Sequence, residues 1–144
     1  MDSSPICPDA NAQMGNSFYI VQKVFTGFAT ATPQPDSWHQ YAPATNYGIH
    51  GNYSAYVSPG FWLDVTDPTN GAVRLPRDLA RFQTDVSKMA AASVTWKLAE
   101  TWNEWGEGSS IEPGTQSIVD ATGKEVADPN GAVFGNEYVK ALAD

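Results

Sequence analysis

Cysteine is nearly missing from this chain. Cys7 stands alone among 144 residues, so no intrachain disulfide can form. A cytoplasm would suit such a chain, but secretion is not excluded and the compartment stays open. Positive charge is also scarce. Eight Lys and Arg face sixteen Asp and Glu, for a formal net charge of −8. Such a balance repels nucleic acid and anionic membrane surfaces. The basic residues are scattered, with Arg74, Arg77 and Arg81 the nearest approach to a cluster. Charge of either sign is sparse at 17%, below the usual quarter. A neutral, hydroxyl-rich ligand suits this surface better than a phosphate-rich one. No apolar run approaches the ~20 residues of a membrane span. Met1-Asp2-Ser3-Ser4-Pro5 carries neither the basic nor the apolar region of a signal peptide. Neither nucleic acid nor a membrane is therefore expected as a partner.

Several chemistries lack their motifs. There is no phosphate-cradling G-x-x-x-x-G-K-[ST] loop, no G-x-G-x-x-G fingerprint and no G-x-S-x-G elbow. His39, His50, Asp64 and Asp67 show no compact metal-ligand spacing, and a loop histidine is more simply satisfied by hydrogen bonds. Cys7 has no evident His partner. No metal and no cofactor are expected. Asn52-Tyr53-Ser54 matches the glycosylation tripeptide, which is frequent by chance.

Aromatic residues, by contrast, are plentiful: five Trp, six Tyr and six Phe make up 12% of the chain. Most such rings belong to a core, but Trp and Tyr also offer flat apolar faces with a polar tip. The C–H patches of a sugar stack on such faces. The apolar fraction of 42% is ordinary, and 144 residues are about one domain.

Along the chain, residues 1–17 read as a loose polar arm. Phe18-Tyr19-Ile20-Val21-Gln22-Lys23-Val24-Phe25 reads as a buried strand ending near Gly27, with Lys23 either at a site or reaching to the rim. Residues 29–51, with three Pro and two Gly, read as a long loop. Its Trp38, His39, Tyr41, Tyr47 and His50 argue for order. Tyr53-Ser54-Ala55-Tyr56-Val57 predicts a strand, Ser58-Pro59-Gly60 a break, and Asp67-Pro68-Thr69-Asn70-Gly71 a turn. A helix is predicted from Pro76 to about Ala92. Leu79, Phe82, Val86, Met89 and Ala90 would form its apolar face, and Arg77, Asp78, Arg81, Asp85 and Lys88 its polar side. The alternation of Val94, Trp96 and Leu98 predicts a strand over 94–102. Ser117–Asp120 and Lys124–Ala127 suggest a hairpin around Thr122-Gly123. Phe134, Tyr138, Ala141 and Leu142 predict a terminal helix. Strands feeding helices point to an α/β fold, with parallel strands joined by crossover helices.

The most distinctive stretch is Thr101-Trp102-Asn103-Glu104-Trp105-Gly106-Glu107-Gly108. Working residues of β/α barrels sit at the C-terminal ends of strands, and this stretch directly follows one. Geometry decides whether Glu104 and Glu107 can cooperate. On a continuing strand, residues i and i+3 lie roughly 10 Å apart on opposite faces. On a helical turn they share a face, with Cβ atoms ~5–6 Å apart. Gly106 and Gly108 permit the tight turn this requires. Carboxyls at such a distance fit glycoside hydrolysis, in which one acid protonates the leaving oxygen while the other acts ionised. Neighbouring carboxylates resist joint ionisation, which separates their pKa values. The structural alternative is that either Glu caps a helix or pairs with an Arg. Glu112, in Ile111-Glu112-Pro113, is expected to tie the loop through backbone N–H groups. Glu100 is expected as a buried acid in need of a partner, with Lys23 or Arg74 as candidates.

Trp102-Asn103-Glu104-Trp105-Gly106-Glu107-Gly108-Ser109-Ser110-Ile111-Glu112-Pro113 resembles the signature of glycoside hydrolase family 99 and the related WbsX-like proteins of polysaccharide biosynthesis. Trp38-His39-Gln40-Tyr41-Ala42-Pro43 and Ser58-Pro59-Gly60-Phe61-Trp62 also look like segments of these barrels, so the resemblance covers about 18–113. It implies a (β/α)8 barrel acting on α-mannoside-like or other polysaccharide linkages. By position, Glu104 would be the base on the sugar 2-hydroxyl and Glu107 the general acid at the glycosidic oxygen. The anomeric configuration would be retained through a strained anhydrosugar. Gly106 stands where the endo-mannosidase members usually carry His, so the sugar is not carried over.

A full barrel typically needs ~250 residues, and this chain supplies about three strands. The expectation is one domain over 1–144: the arm 1–17, the family-like region 18–113, and a hairpin loop and terminal helix over 114–144. It would be the C-terminal part of a barrel, from a longer protein or a split gene product. The expected site is Glu104 and Glu107 for catalysis, with Trp102, Asn103, Trp105, Tyr41, Trp38 and Trp62 binding a carbohydrate substrate. The missing barrel portion or a second copy would complete it. Two other functions are carried alongside: a non-catalytic carbohydrate-binding module, and a structural fragment of a polysaccharide-biosynthesis barrel protein.

Overall fold

The computed structural model describes residues 18–62, 73–113, 118–119, 125–126 and 136–143. These form a mixed α/β fold of small sheets, with some strands parallel, and two helices. The expected arm 1–17, the turn at Asp67–Gly71 and Phe134 lie outside the described residues.

The sheet that carries the site is three-stranded. Its centre is β4 (Ser54–Val57), which pairs antiparallel with β3 (Tyr47–His50) and parallel with β7 (Trp96–Ala99). A strand covered on both sides has no face for water, and all four residues of β4 are buried. The antiparallel pair corrects the expectation of a loop across 29–51. A turn at 51–53 reverses the chain, with Gly51 at φ 56° and the Tyr53 N–H bonded to His50 O at 3.0 Å. So short a connection can only place strands antiparallel. The same stretch contains β2 (Ser37–His39), which pairs parallel with β1 (Val21–Lys23). Residues 24–36 between them supply the crossover of about a dozen residues that a parallel pair needs. The expected strand over 18–25 shrinks accordingly. Phe18 and Tyr19 are largely exposed, because β1 pairs only with β2 among the described residues.

β4 and β7 are parallel neighbours joined through α1 (Leu79–Ala91), as expected of strands linked by a crossover helix. On the way, β5 (Phe61–Trp62) pairs antiparallel with β6 (Val73–Leu75). The helix begins later than Pro76 suggests. Asp78 is the N-cap, its side chain accepting the Arg81 N–H at 2.9 Å. A capping carboxylate satisfies a backbone donor that proline cannot, and so fixes the start. Phe82 and Met89 are buried with Ala55, Val57 and Ile111, while Leu79 and Val86 pack at the margin.

Asp85 corrects the expected polar side, being 1% exposed in the buried face. Arg81 at 3.1 Å, Lys88 at 2.9 Å and Asn46 at 3.0 Å all donate to its carboxylate. Burial pushes its pKa up, but these donors outweigh it and leave it below the usual carboxylate value. β8 (Ile118–Val119) and β9 (Glu125–Val126) pair antiparallel, as the hairpin reading expects. The terminal helix α2 (Glu137–Ala143) lays Tyr138 and Ala141 against the core, and Tyr138 meets Phe82 edge-on at 5.3 Å. Leu142, expected on that apolar face, is instead 37% exposed.

Phe82 links the sheet, α1 and α2. Its replacement by Ala is expected to cost about 3–5 kcal/mol of stability. The exposed Gln83→Ala control should stay within about 0.5 kcal/mol. Urea unfolding at neutral pH measures both; equal effects would mean that this core does not hold the chain together.

Candidate functional site

β7 ends at Ala99, and the Glu100–Thr101 peptide that follows is cis. The chain then makes a closed excursion and returns at Ile111. Its two ends are tied together. The Thr101 N–H donates to Ser109 O at 2.9 Å, and the two hydroxyls of Thr101 and Ser109 are 2.9 Å apart. The Ile111 N–H bonds the carbonyls of Thr101 and Trp102, and the Glu112 N–H bonds that of Trp102 at 2.8 Å. Ser109, Ser110 and Ile111 are buried, so the loop's return limb belongs to the core.

Between these ties lies a 3-10 turn, Trp105–Glu107, with Glu104 at its N-cap. The Glu104 N–H donates to the Thr101 hydroxyl at 3.1 Å. In a 3-10 turn, side chains three apart eclipse. Glu104 precedes this turn and Glu107 ends it, beyond the C-terminal end of β7, and the charge of Glu104 reaches Glu107. Gly108 closes the turn at φ 63°, a left-handed conformation in which glycine carries no Cβ penalty. Gly106 does not share that role, since its φ is not positive.

The two carboxyls differ in surroundings. Glu104 is exposed, whereas Glu107 is half-buried. Burial raises the Glu107 pKa, the neighbouring charge of Glu104 raises it further, and a hydrogen bond from Tyr41 partly offsets both. That bond is long, with the Tyr41 hydroxyl 3.5 Å from Glu107 Oε2. The Tyr41 hydroxyl is itself raised, first by burial and then by Glu107, Glu100 and Glu104. Lys23 stands over the Tyr41 ring, with Nζ 5.7 Å from its centroid.

Trp102 is 57% exposed and Tyr41 40%, so both keep ring surface open beside the carboxyls. Asn103 is exposed, and its carbonyl accepts the Trp105 N–H at 2.9 Å. Trp105 is turned inward, its Nε1 donating to Glu112 Oε2 at 3.0 Å. Glu112 thus ties the loop through an indole N–H in place of the expected backbone groups.

Trp38 requires a correction. It is 1% exposed, packed edge-on by Phe25 and Phe28 at 5.6 and 5.3 Å, and its Nε1 donates to Gln34. An indole enclosed on these sides has no face for a ligand, so Trp38 is core. The Trp62 side chain lies outside the described residues. Among the described residues no group of three or more His, Cys, Asp or Glu is placed to hold a metal ion, and no helix is long and apolar enough to cross a membrane.

Two residues do more in the structure than their sequence surroundings signal. Glu100 is 5% exposed and accepts the Ala42 N–H on Oε2 at 2.8 Å. Burial pushes its pKa up to about 7, against that hydrogen bond and the charge of Lys23, while Arg74 lies exposed. Its position at the end of an alternating strand was the available signal. Arg77, expected on the polar side of the helix, is buried and donates through one terminal nitrogen to the carbonyls of Gly108 and Ser110 at 2.8 and 2.9 Å. No sequence pattern marks that role.

Glu100 ties stability to pH. Its folded value of about 7 exceeds the ordinary 4.5, so between these values the folded chain keeps a proton that the unfolded chain has lost. Its contribution is therefore fully present below the unfolded value and is lost as pH rises toward 7. The loss approaches ~3 kcal/mol at ~1.4 kcal/mol per pH unit. Glu100→Gln keeps an acceptor for Ala42 and cannot ionise. It is expected to exceed the parent in stability at pH 8 and to come close to it at pH 4, as read by urea unfolding. A gap of the same size at both pH values would contradict a buried, titrating Glu100.

Comparison with protein-family models, with curated proteins and with solved structures found no match to the chain.

Proposed function

We propose that this chain carries the acid–base pair of a retaining glycoside hydrolase-like site, on part of a β/α barrel. One observation carries the reading. Glu104 and Glu107 share a tight turn at the C-terminal end of a strand whose parallel neighbour is reached through a helix. That is where barrel enzymes place their working groups. The β4–α1–β7 unit is the repeating element of such a barrel, although the antiparallel β3 is not part of that repeat.

The division of labour follows the surroundings. Glu107 is the half-buried partner, and burial and Glu104 both favour its protonated form. That suits the general acid. Glu104, exposed, suits the base, in agreement with the resemblance to glycoside hydrolase family 99. Glu104 takes the proton of the sugar 2-hydroxyl, and the 2-oxygen bonds to the anomeric carbon as the glycosidic C–O bond breaks. Glu107 gives its proton to the departing oxygen. Water then adds at the anomeric carbon and opens the three-membered ring, returning a proton to Glu107 while Glu104 reprotonates the 2-oxygen. Trp102 and Tyr41 supply exposed rings for sugar stacking. The substrate is a neutral glycan, consistent with the net charge of −8.

A leaving group that departs without a proton separates the two roles. With an α-linked manno-oligosaccharide, Glu107→Gln is expected to lose about 10²–10⁴ in kcat. With the matching aryl glycoside it should lose far less. Glu104→Gln should lose comparably on both substrates. Undiminished oligosaccharide cleavage by Glu107→Gln would sink the assignment. Calorimetric binding without any product from the parent chain would instead mark a carbohydrate-binding module.

A further inference from the structure

Glu100 is a buried carboxyl of this region that the proposed reaction does not use. It lies one residue past β7, nearly enclosed. Oε2 accepts the Ala42 N–H at 2.8 Å, and Oε1 has no hydrogen-bond partner among the described residues. Ala42 follows Tyr41, whose hydroxyl reaches Glu107 at 3.5 Å.

The segment bearing Tyr41 is held at its far end, where Asn46 donates to Asp85 at 3.0 Å and its carbonyl accepts the Ser58 N–H at 3.1 Å. Residues 40–46 are neither helix nor strand. The Tyr41 N–H bonds the side chain of its neighbour Gln40, and the Ala42 carbonyl accepts Thr45 N–H within a local turn. Both contacts are local and set no distance to the 104–107 turn. The bond to Glu100 spans 58 positions of sequence. It joins the segment to the end of the strand from which Glu104 and Glu107 project.

We propose that Glu100 is a positioning residue. Its buried carboxyl anchors the Tyr41–Ala42 segment and so holds the Tyr41 hydroxyl against Glu107. Glu100 is faced by Lys23 from β1, by Tyr41 from this segment and by Tyr56 from β4. Glu107 is faced by Glu104 from its own turn and by Tyr41. The route from Glu100 to Glu107 therefore runs through Tyr41. A hydroxyl donating to Glu107 favours its ionised form and opposes the upward push of burial and Glu104. Without the anchor that opposition goes, and Glu107 holds its proton to higher pH. The importance of this for turnover rests on the reading of Glu107 as general acid, since the acid sets the alkaline limb of the pH–rate profile. The anchoring itself rests only on the contacts.

The test needs no substrate. The full chain is labelled with 13C at glutamate carboxyls, the Glu107 resonance is assigned by its loss in Glu107→Gln, and its titration is followed by NMR. Tyr41→Phe and Glu100→Ala are expected to raise the Glu107 midpoint to the same value, and the double variant to raise it no further. Glu100→Gln, which keeps the acceptor, should leave the midpoint at the parent value. An unmoved midpoint in Glu100→Ala, or additive shifts in the double variant, would overturn the positioning role. If circular dichroism shows Glu100→Ala unfolded, Ala42→Pro removes the same N–H while keeping Glu100, and the same rise is expected. The two readings fail separately. Absence of glycan cleavage with these shifts intact removes only the hydrolase reading. Cleavage without the shifts removes only the positioning role.

Discussion

A buried guanidinium organises this structure. Arg77 precedes α1 and is almost fully enclosed, a costly place for a charge unless its donors are used. One of its terminal nitrogens bonds the carbonyls of Gly108 and Ser110, and the guanidinium lies 4.3 Å from the centre of the Tyr138 ring. A single side chain thereby joins the start of α1, the return limb of the Glu104–Glu107 loop and the terminal helix. Hydrogen bonds to charged groups are worth roughly 1.5–3 kcal/mol each, more than their neutral equivalents. The stem of Arg77 also runs against Gly60. A Cβ at Gly60 would collide with Arg77 Cγ and press within 3.2 Å of the Gly108 and Leu75 carbonyls. Glycine at 60 is a requirement of close approach.

Arg81, one helical turn on, extends the same arrangement to the other parallel strand. It donates to the carbonyls of Ser58 and Pro59, just past β4, while its charge is balanced by Asp85. The loops leaving β4 and β7 at their C-terminal ends are thus held by two arginines from the beginning of one helix. Carbonyls beyond a strand end have lost their ladder partners and need other donors. The arginines supply donors where the sheet runs out. The placement of Glu104 and Glu107 therefore depends on α1 as much as on β7.

The parts legible in the sequence were those with a periodic or local signal. Leu79, Phe82, Val86 and Met89 give α1 its apolar face, and Val94, Trp96 and Leu98 announce β7. Gly106 and Gly108 foretell a tight turn past the strand, and of the two it is Gly108 that takes the left-handed backbone. What stayed hidden depends on residues distant in sequence. β2 and β3 are three and four residues long and lie among prolines and glycines, too short for alternation to show. Trp38 looked like a ligand platform because an aromatic in a polar stretch carries no sign of its partners. Its partners include Phe25 and Phe28, which a loop reading does not bring near. Asp85 and Arg77 sat on the helix's polar side by periodicity, and tertiary partners drew both inward. A charged residue can be buried wherever its partners can reach it, and periodicity does not encode reach.

The site has two layers, and they divide its physical tasks. The lower layer is polar and enclosed: buried Glu100, Ser109, Ser110 and Arg77, with half-buried Thr101, bond one another's loops and backbone. The upper layer of Trp102, Asn103 and Glu104 is open to solvent. Glu107 lies between them, half-buried and in reach of Tyr41. A carboxyl at that boundary is raised by burial yet can still exchange protons with the solvent side. Deeper, it would resemble Glu100, near neutrality and with one oxygen lacking a hydrogen-bond partner among the described residues. Higher, it would resemble the exposed Glu104. The difference in depth between two residues three apart follows from the turn itself. Glu104 caps the 3-10 segment from the solvent side, whereas Glu107 ends it against the buried Gly108, so the second carboxyl is drawn toward the core and the first is not.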